Sequence, residues 1–216
     1  MKKVSYGAAL IVMAGGALCL LAHDTDEKIP APGFRPECEQ AAAFLKSVGT
    51  CQIAVLPTVW HTQDSLSYSA VSQKTILTHL SDKKIAEPNV CTLELDLSKT
   101  QGPAQWGFFQ SGMKLMGEQV KPLNTNTDYY MAVELLIPPT RDDHLAVFGI
   151  HVYILNHAGE NAFSFLLNSH HQLFVDAKLT AEKATEKAKA KLMAASTQVT
   201  LTALDQQIQQ AKKAEQ

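Results

Sequence analysis

The alternation of two apolar periodicities along the chain constrains the fold more than any single motif does. Residues 52–60 read QIAVLPTVW, a dense apolar run suited to a strand covered on both faces, with Pro57 near its end, where a missing N–H is tolerated. A helical pattern follows. The cap-rich stretch TQDSLSYSA leads into Leu66, Ala70, Leu77 and Leu80, which predicts a helix over 67–82. A second strand is expected over 90–97. Gly102 and Pro103 then open a helix over 102–120, where Trp106, Phe109, Met113, Met116 and Val120 recur at spacings of three and four. Three strand-like segments come next: 128–137, ended by Pro138 and Pro139, then 145–155 and 162–174, joined by the turn NHAGEN. A short helix precedes all of these, with Cys38, Ala41, Ala42 and Leu45 on one face and Gly49 as its stop.

Strands linked through helices pair in parallel by right-handed crossovers, whereas strands linked by short loops pair antiparallel. The expected fold is therefore α/β of the α+β kind. Its sheet is mixed and five-stranded, in the order strand, helix, strand, helix, strand, strand, strand, with helices packed mainly on one face. From Thr180 the composition turns to Ala, Lys, Gln and Glu, which predicts a long C-terminal helix to about residue 212. Its alanine-rich first half is expected to dock lightly on the domain. The second half, with Leu201, Leu204 and Ile208, is expected to project toward a partner or a second copy.

Lys2 and Lys3 before an apolar run over 4–22 read as an export signal, cleaved or retained as an N-terminal anchor. The proline-bearing stretch HDTDEKIPAPG makes 23–35 a linker, so the α/β domain spans 36–175 and the Ala/Lys/Gln-rich helix 176–216. This places the protein in the periplasm, touching membrane only through the N-terminal segment if that is uncleaved. The net charge is −2, with Arg35 and Arg141 the only arginines, so no basic face exists for counterion release and nucleic acid is excluded as a partner. An oxidising compartment would favour one disulfide among Cys38, Cys51 and Cys91. Cys38 and Cys51 are the preferred pair, with Cys91 read as a small buried apolar residue.

The strand QIAVLPTVW, the helix SAVSQKTILTHLSDKKI, the phrase NTDYYMAVELLIPP and the strand VFGIHVYILNHAGEN together resemble a periplasmic α/β fold over roughly residues 50–175. That fold is shared by the N-terminal domain of the translocation protein TolB, the curli secretion channel subunit CsgG and the lipoprotein activators of penicillin-binding proteins. Glu134 stands where such domains more usually carry glycine. The resemblance implies a non-enzymatic module that engages another envelope protein, here through the open sheet face or through the C-terminal helix, including self-association.

Catalytic signatures are absent: there is no GxSxG, SxxK or HExxH, and no glycine-rich phosphate loop, so neither catalytic residues nor a cofactor are expected. The Cys and His spacings match no metal site. A symmetric hairpin over NHAGEN sets Ile150, Val152 and Ile154 opposite Leu167, Phe165 and Phe163 on the apolar face. Val147, His151 and Tyr153 then share the other face with Ser164, Leu166, Asn168 and His170. In that register His151 opposes Leu166 and lies about 13 Å from His170, too far for one metal ion. The loop RDDH over 141–144 reads as a solvated turn. Alternation sets Glu134 with Tyr130 and Ala132 on the polar side of its strand, facing solvent. The candidate binding residues are Tyr130, Glu134, His151, Tyr153, Asn168 and His170. They suit either a protein partner or, as the alternative, a small ligand or metal held on the polar sheet face.

Overall fold

The computed structural model describes residues 39–102, 104–123, 125–139 and 144–214. The expected export signal, the linker, Cys38 and the charged residues of the RDDH loop, Arg141 to Asp143, lie outside the described residues. Within them the architecture is organised around one strand, β5 (Tyr129–Ile137), buried at every position but Leu136. One edge of β5 pairs antiparallel with β7 (Gly149–Asn156), from Tyr129 opposite Asn156 to Leu136 opposite Gly149. β7 in turn pairs antiparallel with β8 (Phe165–Asn168).

Two collinear strands share the other edge of β5, both parallel to it: β1 (Gln52–Val55) and β2 (Thr58–Thr62). Outside them, β4 (Glu87–Val90) pairs parallel with β1, and β3 (Leu66–Ser69) pairs antiparallel with β2. The seven strands of this mixed sheet thus occupy five lateral positions. That is the expected five-stranded arrangement, with two positions each filled by two short strands.

The break between β1 and β2 carries the most consequence. Val55 pairs with Met131 and Val59 with Glu134, so four steps on one strand match three on β5. The surplus residue forms a bulge around Leu56 and Pro57, where Leu56 N–H still donates to Met131 O at 2.8 Å and Pro57 has no N–H to leave unpaired. A one-residue slip exchanges faces. Before the bulge Ile53 and Val55 point one way and Ala54 and Leu56 the other; after it Trp60 joins the first face and Val59 the second.

Both faces are covered. The first packs on α1 (Glu39–Ser47), α2 (Ala70–Asp82), α4 (Gln172–Ala177) and α5 (Glu186–Ala214), through residues such as Phe44, Ile76, Leu80, Phe174 and Leu204. Helices thus lie mainly on one face, as expected. Among the described helices, α3 (Ala104–Val120) alone covers the second face, through Phe109, Met116 and Val120. This corrects the expectation of an open polar sheet face. A helix with that apolar stripe has to bury it, and this was the face left uncovered. Gly112 and Gly117 let α3 approach closely: a Cβ at Gly117 would meet the backbone of Gly159, in the turn after β7.

Several boundaries shift for local reasons. The helix expected over 67–82 begins only at Ala70, because Ser69 is its N-cap, accepting from Ser72 N–H at 3.2 Å, while residues 66–69 pair with β2. The strand expected over 90–97 lies earlier, since β4 can follow β1 only until the bulge. There α2 takes over, with Gln73 Nε2 donating at 2.7 Å to both Val55 O and Cys91 O. Residues 91–97 are irregular, although Leu95 and Leu97 are buried beside α3. The segment 145–155 divides into β6 (Leu145–Ala146) and β7, which sends Val147 into the first core rather than to the polar face, and 162–174 ends as α4. Cys51 is a buried thiol and Cys91 a half-buried one, and both are free among the described residues.

The C-terminal helix also differs from expectation. Residues Thr180–Ala181 form β9, which pairs with β6, and α5 starts at Glu186. The second half of α5 does not project: Val199, Leu201, Ala203, Leu204, Ile208 and Ala211 are all buried in the first core. Asp205 meets His79 of α2 at 2.9 Å, and Lys189 sits over the Trp60 ring at 5.6 Å. No described helix is long and apolar enough to cross a membrane.

Candidate functional site

Glu134 lies in the middle of β5 and points toward α3. It is fully buried rather than solvent-facing, which corrects the reading taken from alternation. Alternation places the side chain on the correct face, and α3 removes that face from water. A buried carboxylate is costly unless donors surround it. The flanking strands supply them. In β7, directly opposite Glu134, His151 places Nδ1 2.8 Å from Oε2, and Tyr153 donates its hydroxyl to the same oxygen at 2.6 Å. In β2, beyond the bulge, His61 places Nδ1 2.6 Å from Oε1. The bulge makes this last contact possible, because it turns His61 onto the α3 face in place of Trp60.

Burial pushes the Glu134 carboxyl up, but hydrogen bonds from His151 and His61, the charge of His151 and the Tyr153 hydroxyl together outweigh it and hold it at about 2. Glu134 is therefore ionised. Burial first, then the Glu134 charge, pushes the Tyr153 phenol well above its ordinary value, so it remains a donor. An ionised carboxylate only accepts, which places the protons on both Nδ1 atoms. The cluster is roofed by rings. Phe109 stacks on Tyr153 at 5.3 Å and meets His151 edge-on at 5.2 Å, and Phe108 lies tilted 5.5 Å from His61. His151 Nε2 is buried without a hydrogen-bond partner among the described residues.

His61 is the cluster's contact with the outside. It lines a pocket of about 470 Å³ between β2, the start of α3 and the end of β5. Its apolar lining includes Phe108, Leu136, Pro138, Pro139 and Phe148, and Thr62, Gln63, Ser98, Thr100 and Gln105 also line it. Gln105 is held by donating to Leu167 O at 3.2 Å, and it lies where a Cβ on Gly149 would be.

Of the expected binding residues, the fold brings Glu134, His151 and Tyr153 together. Tyr130 is buried elsewhere on the same face, its hydroxyl donating to Leu123 O at 2.8 Å and bonded to Thr125 Oγ1, which ties down the turn before β5. Asn168 ends β8 and accepts from the backbone N–H of His170, which is exposed; neither reaches the cluster. His61 escaped the sequence reading. Its signal was a lone polar ring at the end of an apolar strand, but its face depends on a bulge that Pro57 permits without announcing.

A histidine oriented by a buried carboxylate is the base half of a nucleophilic triad. The hydroxyls that line the pocket with it serve other partners. Thr62 Oγ1 donates to Ser65 O, Ser98 Oγ to Asp96 and Thr100 Oγ1 to Leu97 O, and no described Ser, Thr or Cys bonds His61. Nor is any group of three or more His, Cys, Asp or Glu among the described residues arranged to hold a metal ion. Comparisons with protein-family models, curated protein sequences and solved structures find no match to this chain.

Proposed function

We propose that this protein is a non-enzymatic α/β binding module that takes a small ligand in the pocket beside His61. The observation that carries this reading is a concave, mostly apolar pocket of about 470 Å³ in whose lining a buried polar group, His61, is held by an ionised buried carboxylate. Ligand sites commonly combine an apolar lining with a few fixed polar groups, and rigid support from a central strand keeps the polar group in place. Binding is favoured over catalysis because His61 has no nucleophile among the described residues to activate.

The N-terminal sequence supports an exported, periplasmic protein as part of the same proposal. Engagement of another envelope protein, which the TolB-like resemblance implies, would require a surface other than the apolar side of α5, since Leu201, Leu204 and Ile208 are buried in the core. A thermal-shift screen of small aromatic and aliphatic compounds tests the ligand reading. Hits are expected to perturb NMR resonances of His61, Phe108 and Phe148. Hits that perturb only surface residues away from this pocket would sink it.

A further inference from the structure

We propose that α4 is a latch released by mild acid: when His171 takes up a proton, the helix leaves the first core and exposes Phe174. The proposal is independent of the ligand pocket. It begins at the start of α4, where a helix has N–H groups without intrahelical partners. His171 is the N-cap, with extended backbone, and its Nδ1 accepts from the Leu173 N–H at 3.3 Å. A backbone N–H only donates, so that nitrogen carries a lone pair and the ring is neutral, with its proton on Nε2. Leu173 N–H has no other partner among the described residues. A proton on Nδ1 therefore replaces the cap with two opposed N–H groups. It also places a positive charge on a residue only 5% exposed.

The rest of α4 is poorly equipped to withstand that loss. Its six residues are too few for a helix that stands without tertiary support. Its C-cap, Lys178, is in the left-handed region at φ 48°, a strained conformation for a residue with a Cβ. Phe174 in the first core, with Leu173 and Ala177 packed beside it, supplies the opposing pull.

No described acid pairs with His171. The titratable groups on its own segment are His170, Asp176 and Lys178, and Asp176 accepts instead from Gln172 Nε2 at 2.7 Å. On α5, the helix packed against α4, Lys187 and Lys191 share a cavity with Ala177 and Lys178, at the far end of α4. Lys189 lies over Trp60, and Asp205 meets His79. Burial holds the His171 ring below the usual histidine range. The released segment thus binds the proton more readily than the docked one. The closed latch is favoured fully above about pH 6.5 and loses as much as about tenfold for each pH unit below it, until the docked ring itself titrates.

Hydrogen exchange of the full chain, followed by NMR and corrected for intrinsic rates, tests the latch. Protection of the Phe174 and Val175 amides is expected to lie below that of Met116 in α3 and to fall about three- to tenfold between about pH 7.5 and about pH 5.5. His171→Asn keeps a capping oxygen that does not titrate, and should hold α4 protection within about twofold over that range. An α4 whose protection stays constant in the parent, or falls as far in the Asn variant, would overturn the proposal. So would equal protection of α4 and Met116 at the lower pH, which would show unfolding of the whole domain in place of local release. The His171 ring resonances of the unaltered protein decide even if the variant folds poorly: a titration midpoint at or above about pH 6.5 would remove the trigger.

Discussion

Glu134 keeps its charge inside the protein because the three donors around it come from strands on both sides of β5. His61 lies on one neighbour and His151 and Tyr153 on the other, so the carboxylate joins three strands across the sheet. Its folded value of about 2 lies below that of an ordinary glutamate, near 4.5, so the unfolded chain binds the proton more readily. The stabilisation is therefore complete above about pH 5 and is lost as the pH falls from about 4.5 toward 2, amounting to about 3 kcal/mol. Urea denaturation at about pH 7 and about pH 3 should show this loss. Glu134→Gln should be less stable than the parent at neutral pH by about 2–4 kcal/mol, with a flatter acid limb. Gly112 is the neighbouring sensitive position. A Cβ there would overlap Tyr153 Oη and come within 3.0 Å of its Cζ, and Tyr153 cannot swing away while stacked on Phe109 and bonded to Glu134. Gly112→Ala is expected to cost about 1–3 kcal/mol, read as a lowered Tm, and an unchanged Tm would show that α3 is less tightly seated than described.

Among the elements, the bulged β1–β2 unit and α5 bear most on the rest of the structure. The bulge adds one residue and so decides which side chain of the pair Trp60 and His61 meets Glu134. Deleting Pro57 removes that residue, which turns Trp60 toward the carboxylate and His61 toward the helices on the other face. Loss of a cooperative unfolding transition is expected, by circular dichroism, whereas Pro57→Ala keeps the count and should stay within about 1 kcal/mol of the parent. For α5, the buried positions of Leu201, Leu204 and Ile208 predict that truncation after residue 196 unfolds the protein. Leu204→Ala alone should cost about 2–5 kcal/mol by denaturant titration. A truncated chain that kept its Tm would restore the projecting helix.

At the scale of the whole molecule, the pocket gathers residues from separate parts of the chain: the end of β2, Ser98 and Thr100 with the start of α3, the end of β5 with Pro138 and Pro139, and Phe148. These parts are distant in sequence and come together only in the folded state. A ligand seated there binds the native state and not the unfolded chain, so it should stabilise the entire fold by mass action. At a free concentration about 100 times its Kd the gain is about 2.7 kcal/mol, or a rise in Tm of roughly 5–10 °C for a domain of this size. Differential scanning calorimetry across a ligand series reads this directly, and a tight ligand that left Tm unmoved would have to bind the unfolded chain equally well.

The sequence by itself was enough for the helices α1, α3 and α5, the turn between β7 and β8, and the register that sets His151 opposite Leu166, because apolar period and turn residues act over a few neighbours. It also placed Glu134, His151 and Tyr153 on one face, since alternation along a strand is a local property. Whether that face meets water is not local. It depends on which surface α3 covers, and α3 lies across the sheet because glycines at 112 and 117 admit it and its apolar stripe has no other uncovered face. The sequence therefore marked Glu134 as exposed, while tertiary packing buried it and kept it charged. The inclusion of His61 and the burial of the second half of α5 were likewise decided by packing between segments far apart in the chain. A one-residue bulge and a helix docking site leave almost no mark on the periodicity of the segments they affect, yet they determine which side chains meet.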